Sequence, residues 1–287
     1  MISVSLISDG TFKLDGGAMH GVVPRSLWQK ANAPDEKNRI LLGLNCLLVN
    51  TGKEKILIET GVGIGHSEKF SELYAIDKTR TLLKELAALR VDPEEIAYVI
   101  PTHLHFDHAG GLADWSTGKL LFPKAKVVIQ KEEWEAALHP HPKNAASYLP
   151  EFLEPLKKAS LEIVVGNREI VPGVRVEHTG GHTHGHQVVF VETGKVTIAY
   201  LGDLVPTAAH VNPLWAMAYD VEPEKSISEK KRLIKQGVSD RWTFVLVHDP
   251  HKPVGHVALD EKERYVYQPA ESLSSISWLE HAPVGIS

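Results

Sequence analysis

Thr102-His103-Leu104-His105-Phe106-Asp107-His108 is the stretch on which the reading of this chain turns. Three histidines and an aspartate stand at fixed positions directly behind residues 97–101, an apolar run that reads as a buried strand. With 16 histidines among 287 residues, a chance HxHxDH anywhere in the chain has odds of roughly one in several hundred. Imidazoles two positions apart on an extended loop converge on one ion, and the Asp-His pair that follows turns toward a second. Neutral imidazole nitrogens and carboxylates suit Zn²⁺, while the lack of a thiolate leaves Fe, Mn and Co open. A solvated loop merely rich in histidine is the competing and weaker explanation.

Three later segments each offer one more ligand at a strand end. Gly180-Gly181-His182-Thr183-His184-Gly185-His186 follows an expected strand at 174–178, Gly202-Asp203 follows one at 196–201, and His248-Asp249 follows one at 243–247. Strand ends carry sites because the ladder fixes the backbone while the loop is free to vary. One ligand from each segment, added to the first four, gives seven nitrogen and oxygen donors. If Asp203 bridges, they fill two metal positions and leave room for a shared water.

Around these segments, strand-like and helical patterns alternate, as expected of one α/β domain spanning 1–287. Residues 1–8 alternate as an edge strand, and 44–49 with 56–59 read as a hairpin around Asn50-Thr51-Gly52. Leu82, Leu86 and Leu89 place an apolar stripe on a helix over 78–90. Asp92-Pro93 then supplies a cap and a first-turn proline. Further strands are expected at 127–130, 161–165, 187–192 and 242–247, and helices at 131–138 and 223–237, with Lys230-Lys231-Arg232 on a solvated face. Residues 9–40 and 139–158 carry prolines and little periodicity, which marks them as lids or as substrate or dimer loops. The tail from Ala270 reads as a short helix or a frayed end.

Composition narrows the function classes. Thirty-six acidic against 31 basic side chains give a net charge of -5, against the basic excess of a nucleic-acid-binding face. The single cysteine, Cys46, lies in an apolar run, so no intramolecular disulfide forms and a buried thiol is expected. The start MISVSLISDG has no basic and apolar leader pattern, and no stretch approaches the ~18 apolar residues of a membrane span. The expectation is a cytoplasmic enzyme acting on a small molecule, with neither nucleic acid nor membrane as partner.

Taken in order, THxHxDHxGG at 102–111, GHTxGH at 181–186, Gly202-Asp203 and the late His248 resemble the metallo-β-lactamase superfamily along essentially the whole chain. The resemblance implies an αββα sandwich with the site at one edge of its two sheets. It implies that His103, His105 and His182 hold a first metal, that Asp107, His108 and His248 hold a second, and that Asp203 bridges. His105 stands where flavodiiron relatives tend to have glutamate, against an oxidoreductase reading. Asp15-Gly16-Gly17-Ala18-Met19, Gly21-Val22-Val23-Pro24 and LGDLVPTAAH at 201–210 look like the branch holding quorum-quenching lactonases and related esterases. The chain departs from the family pattern at Glu59-Thr60-Gly61, where Asp-Thr-Gly is usual, and at His184, where proline is common. Pro206 occupies a position where acyl-homoserine lactonases often place a tyrosine.

The implied reaction is hydrolysis of an ester, most readily a lactone, by a hydroxide bridging two divalent ions. In it Asp107 orients the nucleophile and passes its proton to the leaving alkoxide. No GxSxG elbow offers a serine nucleophile. Phosphodiester or phosphotriester cleavage on the same centre, a mononuclear-iron sulfur dioxygenase and a metal-free scaffold are the competing functions. On the substrate side, Met19, Trp28, Trp215, Met217 and Tyr219 are candidates for an apolar acyl pocket, with core packing the competing use. The apolar residues of 9–40 would equally serve a neighbouring subunit in a homodimer. With proline at 206, the carbonyl donor is expected from His210 or Tyr219.

Overall fold

Two long neighbouring strands anchor the first sheet. Ser3–Asp15 (β1) and Arg39–Asn50 (β2) pair antiparallel from Ser3↔Asn50 to Asp15↔Arg39, across a bulge between Ser8 and Thr11. The computed structural model describes residues 2–270 and 276–278. Lys55–Ile58 (β3) closes the hairpin with β2, and Ile96–Ile100 (β4), Lys126–Gln130 (β5) and Ser160–Val164 (β6) follow as parallel neighbours. Parallel strands need crossover segments. These carry Glu68–Tyr74 and Leu82–Ala88 before β4, Phe106–Ala109 after it, and Lys131–Leu138 and Pro150–Leu156 after β5.

The second sheet runs Arg168–Val171 (β7), Val174–His178 (β8), Gln187–Glu192 (β9), Thr197–Tyr200 (β10), Thr243–Val245 (β11), Val254–Leu259 (β12) and Tyr265–Pro269 (β13), in chain order across the sheet. Its outer face is covered by the helix Pro223–Ser239. Three apolar layers result. Leu47, Val49, Ile58 and Ile100 of the first sheet meet Val176, Val189, Ile198 and Val245 of the second between the sheets. Cys46, Leu48 and Leu57 point the other way, under the helices of the first sheet, while Phe190, Phe244, Leu233 and Ile234 form the third layer. The period-2 alternation of a strand thus loads both faces of each sheet, and the expected αββα sandwich is the one found. No helix among the described residues is long and apolar enough to cross a membrane.

Several boundaries differ from expectation for identifiable reasons. Residues 9–40 are not one irregular loop. The bulge, with Gly10 at φ 98, breaks the alternation in the sequence while β1 continues to Asp15, and two short helices, Gly16–His20 and Arg25–Trp28, follow. The helix expected from 78 begins only at Leu82, capped by Thr81. The residues before it are spent on buried Asp9, which accepts from Lys78 Nζ at 2.5 Å and from Leu82 N at 3.0 Å. Residues 139–158 contain the helix Pro150–Leu156. Lys230 is not solvated: it is 2% exposed and donates from Nζ to the Trp215 carbonyl at 2.7 Å. The tail expected as helix or frayed end lies outside the described residues except for Ile276–Trp278, a strand parallel to β1.

Phe244 is fully buried between the second sheet and the long helix, against Trp242 and Gly237. Phe244→Ala is expected to cost about 3–5 kcal/mol, read as a fall in the urea midpoint. An unchanged midpoint would contradict this packing.

Candidate metal centre

The loops that leave β4, β8 and β10, and the one after β11, end at one edge of the sandwich. There His103, His105, Asp107, His108, His182, Asp203 and His248 meet, all buried. Gly202, at φ 52, makes the approach possible, since a Cβ there would lie 2.7 Å from Thr102 Cγ2. Their donor atoms form three groups within 4.8 Å: His103, His105 and His182; His103, His108 and Asp203; and Asp107, His108 and His248.

The contacts inside the cluster are short. His182 Nε2 lies 3.2 Å from His105 Nδ1 and 3.2 Å from Asp203 Oδ2. His248 Nε2 lies 3.2 Å from His108 Nε2, 3.2 Å from Asp203 Oδ1 and 3.4 Å from Asp107 Oδ2. Asp203 therefore turns one oxygen to each side of the cluster.

The opposite ring nitrogens show why inner lone pairs face one another. His182 Nδ1 donates to Asp220 Oδ1 at 2.9 Å, and His248 Nδ1 to the Gly43 carbonyl at 2.8 Å. His108 Nδ1 faces Glu59 Oε2 at 3.4 Å. An outward N–H fixes the tautomer that leaves Nε2 as an inward acceptor, as metal-binding histidines require. His103 Nε2 and Asp203 Oδ1 are buried with no hydrogen-bond partner among the described residues. Orphaned acceptors of this kind are costly unless a cation satisfies them, so the donor set fits divalent metal binding.

Charge tells the same story. Burial works against every imidazolium here. At His248 the Asp203 and Asp107 carboxylates outweigh it and hold the ring up to about 9. At His105 burial, reinforced by His182, prevails and the ring falls to about 3. Burial opposes the Asp203 carboxylate as well, yet the rings of His108, His248 and His182 keep it well below the usual carboxylate range. The site is thus arranged around shared positive charge.

The match to the family pattern decides the lineage. The metallo-beta-lactamase superfamily profile matches residues 40–248. The chain belongs to the metallo-beta-lactamase superfamily. Among solved structures, a probable metal-dependent hydrolase from Staphylococcus aureus is 34% identical, with a TM-score of 0.86, over 95% of this chain and 98% of that one. A quorum-quenching N-acyl homoserine lactone lactonase is 26% identical, with a TM-score of 0.67, over 86% and 92%. The N-acyl homoserine lactonase of Bacillus cereus is 32% identical over 177 residues, 57% of this chain and 64% of that protein. For the lactonase of a Bacillus species the figures are 32% over 160 residues, 52% and 58%. The chain thus matches under two thirds of the length of these curated relatives.

Substrate-side expectations divide. Met19 and Tyr219 line a cavity that opens on His105, Asp107 and Asp203. Trp28 does not: it is 2% exposed and stacks on His20 at 5.0 Å as part of the core. His210 has both nitrogens engaged, Nδ1 with Thr207 Oγ1 and Nε2 with the Met19 carbonyl, each at 2.8 Å. No N–H is left for a substrate, so His210 acts as a buttress beneath Met19. Trp215 lies partly buried against the core, and Met217 is buried within it.

Where the chain departs from the family pattern, Glu59 stands at φ 65 and accepts from Thr102 N at 2.9 Å while facing His108, so the longer carboxylate reaches both sides of the histidine loop. His184 is exposed, beside Glu222. Pro206 gives its carbonyl to His248 N at 2.9 Å.

Sequence reasoning missed Asp220 and Glu133. Asp220 lies in a segment without periodicity, far in sequence from His182, and only the tertiary fold pairs them. Glu133, in the first turn of its helix, reads as an ordinary helix-dipole acid. Asp220→Ala is expected to lower divalent-ion affinity about 10–100-fold, measured by competition with a chromogenic chelator. Unchanged affinity in the folded variant would contradict the role given to Asp220.

Proposed function

We propose that the chain is a dinuclear-metal hydrolase of carboxylic esters, with lactones the preferred substrates and Zn²⁺ the preferred ion. The observation that carries this reading is Asp203, whose two oxygens face the two sides of the histidine cluster, Oδ2 toward His182 and Oδ1 toward His108 and His248. His103, His105 and His182 would hold one ion, Asp107, His108 and His248 the other, with Asp203 between. The kinship to N-acyl homoserine lactonases supports the substrate class.

When bound, the ions supply Lewis acidity at the carbonyl and lower the pKa of water toward ~7. The chain does the rest. Asp107, on the cavity wall, accepts the water proton on a carboxylate oxygen as the new C–O bond forms. It returns that proton to the alkoxide oxygen when the ester C–O bond breaks, so no net proton is consumed by the enzyme. Met19, Phe106 and Tyr74 give the acyl portion an apolar wall, while the Tyr219 phenol, which also faces the cavity, is placed to donate toward the carbonyl oxygen. Burial pushes that phenol up from its ordinary value, so it stays protonated and able to donate at neutral pH.

Elemental analysis of zinc-reconstituted protein is expected to give about two ions per chain, and hydrolysis is expected for N-hexanoyl-L-homoserine lactone within a panel of lactones, phosphodiesters and β-lactams. Asp203→Ala should lose both the ions and turnover, whereas Tyr219→Phe should keep the ions and lose rate. A single zinc per chain after reconstitution would overturn the dinuclear reading, and activity confined to phosphodiesters would overturn the lactonase reading.

A further inference from the structure

We infer that Glu133 is a positioning residue that fastens the substrate-facing segment 143–148 to the two loops carrying His103, His105 and His182. The inference rests on the reading of those three histidines as metal ligands. Glu133 is 1% exposed, and its carboxylate is fully engaged with three separate pieces of chain. Oε1 accepts from Leu104 N, the amide between His103 and His105, at 2.8 Å and from the Tyr148 hydroxyl at 2.9 Å. Oε2 accepts from Thr183 Oγ1, next to His182, at 2.5 Å.

The backbone contact is equally close. A Cβ at Gly185 would lie 2.0 Å from Glu133 N, so only glycine lets the His182 loop seat directly on the turn that carries this carboxylate. A buried carboxylate requires such donors to offset its lost hydration, and here all three come from elements that shape one site. Tyr148 links the binding cavity to this clip. Its ring meets that of His105 edge-on at 5.0 Å, and its neighbours Asn144 and Ser147 line the cavity. Substrate contacts at 143–147 and the imidazole geometry of the first group are therefore two outputs of the same carboxylate. Among the described residues neither Asp107 nor Asp203 is hydrogen-bonded to it.

Each arm is cut separately by one substitution. Tyr148→Phe removes only the bond to the substrate segment. It should raise KM for N-hexanoyl-L-homoserine lactone several-fold and leave zinc content unchanged. Thr183→Val removes only the His182 arm, and should weaken one of two zinc equivalents and shift the visible absorption of the cobalt-loaded protein. Glu133→Ala cuts all arms, with about a 10–100-fold loss of affinity for one ion of the pair together with the rise in KM. Should that variant not fold, Glu133→Gln serves: its amide can keep all three partners, with the Thr183 hydroxyl turned to accept, but it loses the charge that strengthens them. The loss of ion affinity and the rise in KM should then both appear in milder form. Folded Glu133 variants with wild-type zinc affinity, cobalt spectrum and KM, altered only in melting temperature, would reduce Glu133 to a structural acid and overturn the inference. Wild-type protein that binds neither zinc nor cobalt would instead overturn the metal reading on which it rests.

Discussion

The structure depends on a concentration of unpaired electron pairs in its interior. Five imidazoles and two carboxylates converge at the sheet edge with their donor atoms within a few ångströms, and several of those atoms have no hydrogen-bond partner among the described residues. Taking such groups out of water costs several kcal/mol each unless something cationic compensates them. The bonds of Asp220 and of the Gly43 carbonyl to the far sides of His182 and His248 spend the outward N–H groups, with the Glu59 carboxylate facing His108 from behind, and turn the inner nitrogens toward one another. A fold that merely needed histidines in its core would pair those nitrogens instead.

The two sheets make that concentration affordable by distributing its supports. The cluster draws on loops after β4, β8, β10 and β11, so no single segment carries the strain of presenting it. Cross-links between the sheets hold these loops in register. Gln187 Nε2 donates to the Pro101 carbonyl at 2.9 Å just ahead of the histidine loop, and Gly43 N donates to the His248 carbonyl at 3.0 Å. Tyr200 on β10 also donates from its hydroxyl to the Asn45 carbonyl of β2. The apolar layer between the sheets supplies the stabilisation, at about 25 cal/mol per Å² of apolar surface removed from water, against which the polar edge is set.

What was legible in the sequence was what is local. HxHxDH, GHTHGH, Gly202-Asp203 and His248 each announce themselves by type and by position behind an apolar run, and all seven ligand candidates meet in the structure. Alternating strands and helices pointed to an α/β domain, and the resemblance carried by those motifs implied its αββα layering. What was not legible is what depends on pairing at a distance. Nothing beside Asp220 marks it as the partner of a ring 38 positions away, and nothing beside Glu133 marks it as the acceptor for Thr183, 50 positions on. Trp28 and His210 looked available because their neighbourhood lacks periodicity. A bulge at Gly10 had hidden the continuation of β1, and with it the core into which both side chains turn. Lys230 was misjudged for a related reason: helix periodicity places it among charged neighbours, while the Trp215 carbonyl that it reaches belongs to a distant loop.

The account stands on the claim that these seven side chains surround two cations. Anomalous diffraction from crystals of the zinc-loaded protein, collected at the zinc edge, tests it most directly. The account predicts two peaks about 3.5–4 Å apart, one among His103, His105 and His182 and the other among Asp107, His108 and His248, with Asp203 between them. A single peak, or none with the imidazoles paired to one another, would contradict it.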